Sequence, residues 1–116
     1  MVKQKTYIPK QGDLIWLNFD PQSGREQKGR RPALVVSSHV YNKTGMAFVC
    51  PITLKEKGYS FEVPFETKNI NGVILADHLK QQDLISRKAK HIGNVSPDAL
   101  EMVLTLIAAI LDEQHG

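Results

Sequence analysis

GDLIWLNFDPQSGREQKGRRPALVVS, residues 12–37, holds two apolar runs of strand length, 14–19 and 33–36, joined by a long charged connection. Continuous apolar character over so few residues, bounded by Gly12-Asp13 on one side and Pro32 on the other, predicts buried strands rather than a helix. Pro32 suits the first position of a strand, where no ladder donor is needed. The connection at 20–31 carries Arg25, Lys28, Arg30 and Arg31 beside Glu26, with Gly24 and Gly29 between them. A hairpin needs neither that much charge nor that much glycine merely to turn, so an anionic partner is expected there.

Outward from this pair, glycine and proline punctuate the chain at short intervals, as in a small all-β domain. Ser37-Ser38 is placed to cap a turn or two of helix through Tyr41, which the polar stretch 42–45 ends at Gly45. Residues 46–53 predict a third strand, apolar enough for burial on both faces. Residues 59–65 alternate with period two and predict a half-buried fourth strand. Asn71-Gly72 reads as a turn before a fifth strand at 73–77. Residues 85–94 are ambiguous between strand and loop, and Arg87, Lys88, Lys90 and His91 make them a basic patch.

The last element is a helix. Ser96 is an N-cap, Pro97 sits at the first helical position, and Asp98 favours the positive helix end. Leu100, Val103, Leu104, Ile107 and Leu111 recur at helical spacing, and Met102, Leu106, Ala109 and Ile110 carry the apolar surface most of the way round. Such a helix needs cover on two sides, from its own barrel and from another subunit. The fold expected is mainly β: one domain over residues 1–116, a small SH3-like antiparallel barrel of about five to seven strands with short helices, closed by the C-terminal helix.

A chain of 116 residues is enough for one core and too short for two, and its charged fraction of 23% is that of a globular rather than a disordered chain. Residues 96–116 carry Asp98, Glu101, Asp112 and Glu113 and no Lys or Arg; taking that −4 from the net +3 leaves +7 on residues 1–95. The body is basic and the end acidic. Cys50 is the single cysteine, inside an apolar run, which excludes an intrachain disulfide and reads as an inert buried thiol. The opening MVKQKTYIPKQGD has charge without a following apolar core, so no secretory signal is expected. No run approaches bilayer length, and a soluble, cytoplasmic protein without membrane contact is expected.

The phosphate-binding loop GxxxxGK[ST], the dinucleotide GxGxxG, HExxH and GxSxG are all absent. His39, His78, His91 and His115 lack the spacing of metal ligands, and neither a metal nor another cofactor is expected. What remains is the charged connection. Its arginines can bind phosphate oxygens through their planar forks and stack on bases. A solvated loop without a partner would carry the same residues, and on charge alone the two readings stand level. Arg31 is anchored by the strand that follows it, while Arg25 and Lys28 lie further out. Thr53, at the end of the third strand, offers a hydroxyl from a rigid base; a local strand-end cap is the competing reading.

Gly12-Asp13-Leu14-Ile15-Trp16, Phe19-Asp20-Pro21, Gly24, Glu26-Gln27, Gly29 and Arg31-Pro32-Ala33-Leu34-Val35-Val36-Ser37 together resemble the MazF/PemK family of toxin endoribonucleases. Tyr41-Asn42-Lys43-Thr44-Gly45-Met46, Pro51-Ile52-Thr53, Lys57-Gly58-Tyr59-Ser60-Phe61-Glu62-Val63 and Gly72-Val73-Ile74-Leu75-Ala76-Asp77-His78 extend the likeness in the same order over nearly the whole chain.

The resemblance implies a homodimeric toxin of a type II toxin–antitoxin pair. Such a toxin cuts single-stranded RNA, chiefly messenger RNA, at a short sequence without metal and leaves 2′,3′-cyclic phosphate and 5′-hydroxyl ends. A cognate antitoxin with an acidic tail is implied as its inhibitor. By position Arg31 and Thr53 match the family's catalytic arginine and threonine, and Glu26 its loop glutamate. RNA contacts are expected from Phe19, Asp20, Gln22, Arg25, Gln27, Lys28, Arg30, Lys57 and His78. Many relatives carry glutamine where His78 stands, and some carry histidine where Arg30 stands. Two other classes stay open: a gyrase-binding toxin like the CcdB poisons, which share the fold, and a nucleic-acid-binding barrel without catalysis.

Overall fold

The computed structural model describes residues 6–18 and 29–113. Its elements are β1 (Asp13–Asn18), β2 (Arg30–Val35), α1 (His39–Asn42), β3 (Met46–Thr53), β4 (Glu62–Glu66), β5 (Asn71–Leu75), β6 (Lys80–Asp83), β7 (Lys90–Asn94) and α2 (Pro97–Leu111). The pairings are antiparallel, in the order β4-β5-β3-β2-β1-β7 with β6 also on β3. The sheet curls into the small barrel expected from the sequence. The turn between β4 and β5 reaches the far strand, where Asn69 Nδ2 donates to the carbonyl of Ile92 at 2.8 Å.

The apolar runs are continuous because both faces of the central strands are covered. Leu14, Leu34, Cys50 and Ile52 face one core with Val63, Phe65 and Ile74, while Ile15, Leu17, Ala33, Val35 and Val49 face a second with Ala47 and Leu84. Alternation along each strand sends successive side chains into different cores. Tyr7 and Ala89 pack against the second core. The first is capped by α2, whose Val103 is fully buried and whose Leu100, Leu104, Leu106 and Ile107 pack around it. Ser96 caps this helix by accepting from the Ala99 amide, with Pro97 and Asp98 in its first turn. Leu111 departs from the expected inward stripe: it is 73% exposed, one turn beyond Ile107, where the helix has run past the core.

β3 is the strand that bends the sheet. Along one edge it pairs β6 through residues 46–49 and then β5 through Ile52 and Thr53; along the other it pairs β2. Cys50 and Pro51 lie at the changeover, so Pro51 sits where its missing donor costs no partner on that edge.

Several boundaries differ from the sequence reading. β2 starts at Arg30 rather than at Pro32, which lies opposite Trp16 of β1 before the pairing with β3 begins at Ala33. β4 starts at Glu62, and Tyr59 precedes it. Asn71-Gly72 is no turn: both residues pair with β4, opposite Glu66 and Phe65. The turn is made one step earlier, where Thr67 Oγ1 donates to the Ile70 carbonyl at 2.6 Å and accepts from its amide at 3.0 Å. Gly72 is needed for close approach instead, since a Cβ there would stand 2.7 Å from the Thr53 carbonyl oxygen.

β6, sequence KQQD, escaped the hydrophobic pattern altogether, because only Gln82 turns inward and the strand is held by its backbone ladder to β3. The ambiguous stretch 85–94 divides into a turn and β7. Asp83 Oδ1 accepts from the amides of Ile85 and Ser86, both at 3.0 Å. Arg87 belongs to this scaffold, its Nη1 donating to the Asn18 carbonyl at 2.9 Å.

Asp13, 5% exposed, ties three segments together. Its carboxylate accepts from the Tyr7 hydroxyl at 2.6 Å, the Lys10 amide at 3.0 Å and Asn94 Nδ2 at 2.6 Å. Burial, with the neighbouring carboxylate, pushes the Tyr7 phenol well above its ordinary range. Cys50 is buried as expected; desolvation, helped by the charge of Asp77, pushes its thiol up to about 12. Among the described residues no helix is long and apolar enough to cross a membrane.

Three outcomes follow for the folded state. Asp13→Ala leaves three donors without their charged acceptor and should cost about 2–3 kcal/mol in urea unfolding. Gly72→Ala should cost about 1–3 kcal/mol, since backbone must shift, and the Thr53 amide should show a large chemical-shift change in the same variant. The raised thiol pKa keeps Cys50 protonated well above neutrality, so iodoacetamide at pH 8 should label it only once denaturant opens the core.

Candidate active site

The β1–β2 and β2–β3 registers decide which basic residues converge. Asn18 stands opposite Arg30 and Leu17 opposite Arg31, at the end of β1 and the start of β2. Ala33 pairs with Pro51, so carrying that register two residues further sets Arg31 across from Thr53 at the end of β3. By alternation Arg31 and Thr53 fall on one side of the strands, and Arg30, Pro32 and Trp16 on the other.

A cleft of ≈ 700 Å³ opens at these strand ends, bordered by Arg30, Arg31, Thr53, Lys55 and Lys57 and walled by Trp16, Ile52 and Asn69 among others. Among the described residues that line it, none is Asp or Glu. Concentrated positive charge favours an anionic ligand, and low-dielectric walls strengthen that field. No ion pair engages the guanidinium of Arg31 among the described residues.

Arg30 has its Cζ 5.1 Å from the centroid of the Trp16 ring, a cation–π stack. The Thr53 hydroxyl accepts from the Lys55 amide at 3.3 Å, which is the strand-end cap reading; its own proton stays free to be donated. The cap and an orienting role toward a ligand are therefore compatible.

A second pocket of ≈ 160 Å³ adjoins the cleft and shares Thr53, Lys55 and Lys57 with it. Tyr59, Glu62, Leu75, Asp77 and His78 complete it. Glu62 is occupied in holding the loop that shapes both pockets: it accepts from the amides of Lys57 at 3.1 Å and Gly58 at 2.9 Å. His78 Nε2 lies 3.7 Å from Asp77 Oδ1 at the rim.

Of the residues singled out from sequence, Arg30, Arg31, Thr53 and Lys57 border one cleft and His78 the pocket beside it. Phe19, Asp20, Gln22, Arg25, Glu26, Gln27 and Lys28 lie outside the described residues. Sequence reasoning missed Trp16, Lys55, Asn69 and Tyr59. Trp16 was hidden inside an apolar run, although a tryptophan there, with arginines in the following connection, offers a stacking partner. Asn69 gave no signal, because its place depends on the turn between β4 and β5. Among the described residues no three His, Cys, Asp or Glu side chains gather as a metal site requires.

Comparison with known proteins gives this geometry a family. Residues 10–111 match the family described as PemK-like, MazF-like toxin of type II toxin-antitoxin system. Among curated proteins, the endoribonuclease toxin MazF of Escherichia coli K12 is 43% identical over 106 residues, spanning 90% of this chain and 96% of that one. The endoribonuclease toxin ChpB of the same organism is 36% identical, over 97% of this chain and all of its own. The MazE-MazF crystal structure from Deinococcus radiodurans superposes with a TM-score of 0.81 at 40% identity, over 91% of this chain and 97% of that one. The chain belongs to the PemK/MazF-like family of type II toxin–antitoxin toxins.

Proposed function

We propose that this protein is the endoribonuclease of its toxin–antitoxin pair and cuts single-stranded RNA, chiefly messenger RNA, by attack of the adjacent 2′-hydroxyl. The observation that carries this reading is the cation-lined cleft that Arg31 and Thr53 both border at the ends of neighbouring strands. A phosphodiester fits that field, and relatives sharing more than a third of its residues are named endoribonucleases.

The reaction needs the 2′-oxygen deprotonated, the charge on the phosphoryl oxygens stabilised and the leaving 5′-oxygen protonated. Arg31 stabilises the phosphoryl charge and, as a protonated guanidinium, is the proton donor to the leaving 5′-oxygen rather than the base. Thr53 donates to a phosphate oxygen and orients it. Glu26 is the base in this scheme, a role that rests on the family resemblance. His78 contacts RNA from the smaller pocket. The products are a 2′,3′-cyclic phosphate and a 5′-hydroxyl, and no step calls on a metal.

The protein acts in the cytoplasm as a homodimer. Support for the dimer is the apolar exposure along α2, where Met102 is 52% exposed and, in the last turn, Ile110 is 47% and Leu111 73% exposed. An antitoxin partner is supported by the MazE-MazF complexes among its structural neighbours. The cation-rich cleft favours the nuclease over a gyrase-binding toxin, whose target is a protein surface.

The test is cleavage of a long single-stranded RNA in EDTA, with ends mapped by primer extension. Wild-type protein should give discrete cuts bearing cyclic phosphates. Arg31→Ala should lose about 10²–10³ in kcat, and Glu26→Gln should fall by a comparable factor. Wild-type turnover in Glu26→Gln removes the glutamate from the scheme, and absence of cutting by folded protein overturns the nuclease reading.

A further inference from the structure

The stack of Arg30 on Trp16 is the one cation–π contact found among the described residues, and both partners line the cleft that holds Arg31 and Thr53. The sheet register produces it. Trp16 stands opposite Pro32, and Arg30 lies two residues before Pro32 on the same face, in the diagonal position that long side chains reach across an antiparallel pair. Trp16 is only half-buried, and the residues flanking it across the sheet are Pro32 on β2 and Lys90 on β7. A partly open rim position of this kind has no packing need for the largest aromatic side chain.

We propose that Trp16 is a positioning residue for RNA, holding Arg30 flat so that its guanidinium edge meets a backbone phosphate beside the one at Arg31. The inference rests on the endoribonuclease reading and names how that site grips its substrate. A guanidinium laid on a ring face has its N–H donors fanned out in the plane, toward whatever lies beyond the ring edge. An arginine at the first position of a strand would otherwise sample many rotamers and attract RNA without a fixed geometry. Stacking removes that freedom before RNA arrives. Arg31 and Arg30 point to opposite sides of β2, so together they straddle the strand end, with one contact to the reacting phosphate and the other to a neighbour.

The experiment measures cleavage kinetics, and the affinity for a 2′-deoxy-substituted RNA that cannot be cut, at several salt concentrations. Wild type is compared with Trp16→Leu, Trp16→Phe, Arg30→Gln and the Trp16→Leu/Arg30→Gln double variant. Trp16→Leu is expected to bind about tenfold more weakly and to lose about 0.7 in the slope of log K against log salt, the share of one phosphate contact on a single strand. The loss should fall on KM rather than kcat, and Trp16→Phe should recover most of it. In the Arg30→Gln background the further effect of Trp16→Leu should be under about twofold, because one contact cannot be lost twice.

Arg30→Lys leaves the Trp16 packing in place and keeps the charge while losing the flat stack. It is expected to bind about three- to fivefold more weakly and decides the matter should Trp16→Leu not fold. Multiplying effects in the double variant, or wild-type affinity and salt slope in Arg30→Lys, overturn the proposal. A wild-type protein that cuts no RNA overturns the endoribonuclease reading instead, so the two failures are distinguishable.

Discussion

Between Val49 and Ile52, strand β3 exchanges β6 for β5 along one edge while β2 remains on the other, and the cation-lined cleft exists because of that exchange. Were β3 to keep one partner, the sheet would continue flat past its end. Instead the last residues of β3 turn with β5, and Thr53 is delivered to the rim beside the start of β2, where Arg31 begins. Two sequence features make the exchange cheap. Pro51 needs no ladder partner at the changeover, and Gly72 lets β5 come close enough to the Thr53 carbonyl that no side chain would fit between them. Thr53 and Arg31 thus sit on rigid strand ends rather than on loops, which suits groups that must act on a transition state.

Charge is segregated over the same frame. Among the described residues the cleft lining carries Arg and Lys and no carboxylate, whereas α2, on the other side of the first core, has Asp98 in its first turn and no basic residue in its last. Two carboxylates of the adjoining pocket are engaged: Glu62 holds the amides of Lys57 and Gly58, and Asp77 lies beside His78. Arg87, which the sequence presents as part of a basic patch, is bonded to the Asn18 carbonyl and stabilises the end of β1. Part of that basic patch therefore serves the scaffold, whereas Arg30, Arg31, Lys55 and Lys57 carry the charge that borders the cleft.

The fold was legible wherever burial imposed a period. β1, β2 and β3 were read from apolar runs because each packs both faces into a core, and α2 from its cap, proline and helical spacing. What stayed hidden had no such imprint. β6 is polar and is held mainly through its backbone ladder to β3, and Asn71-Gly72 imitates a turn although close packing, not turning, requires the glycine. For the site, Arg31 and Thr53 were legible because family resemblance marked them; their meeting at one rim is a product of register, which sequence spacing does not encode. Trp16 was read as one more apolar strand residue, since its stacking on Arg30 depends on a diagonal pairing between strands. The charged connection, from which the anionic partner was inferred, lies largely outside the described residues, so that inference now rests on its anchored end at Arg30 and Arg31.

The central claim is that RNA occupies the cation-lined cleft between the start of β2 and the end of β3. The most direct measurement is backbone and arginine side-chain chemical-shift mapping by NMR, as a non-cleavable 2′-deoxy-substituted RNA is titrated into the protein. The account predicts the largest changes at the Arg30 and Arg31 guanidinium groups and at Thr53, Lys55 and Lys57, with the outer face of α2 unmoved. Changes confined to α2 or to the β4 edge, with the Arg31 and Thr53 signals unchanged at saturation, would contradict it.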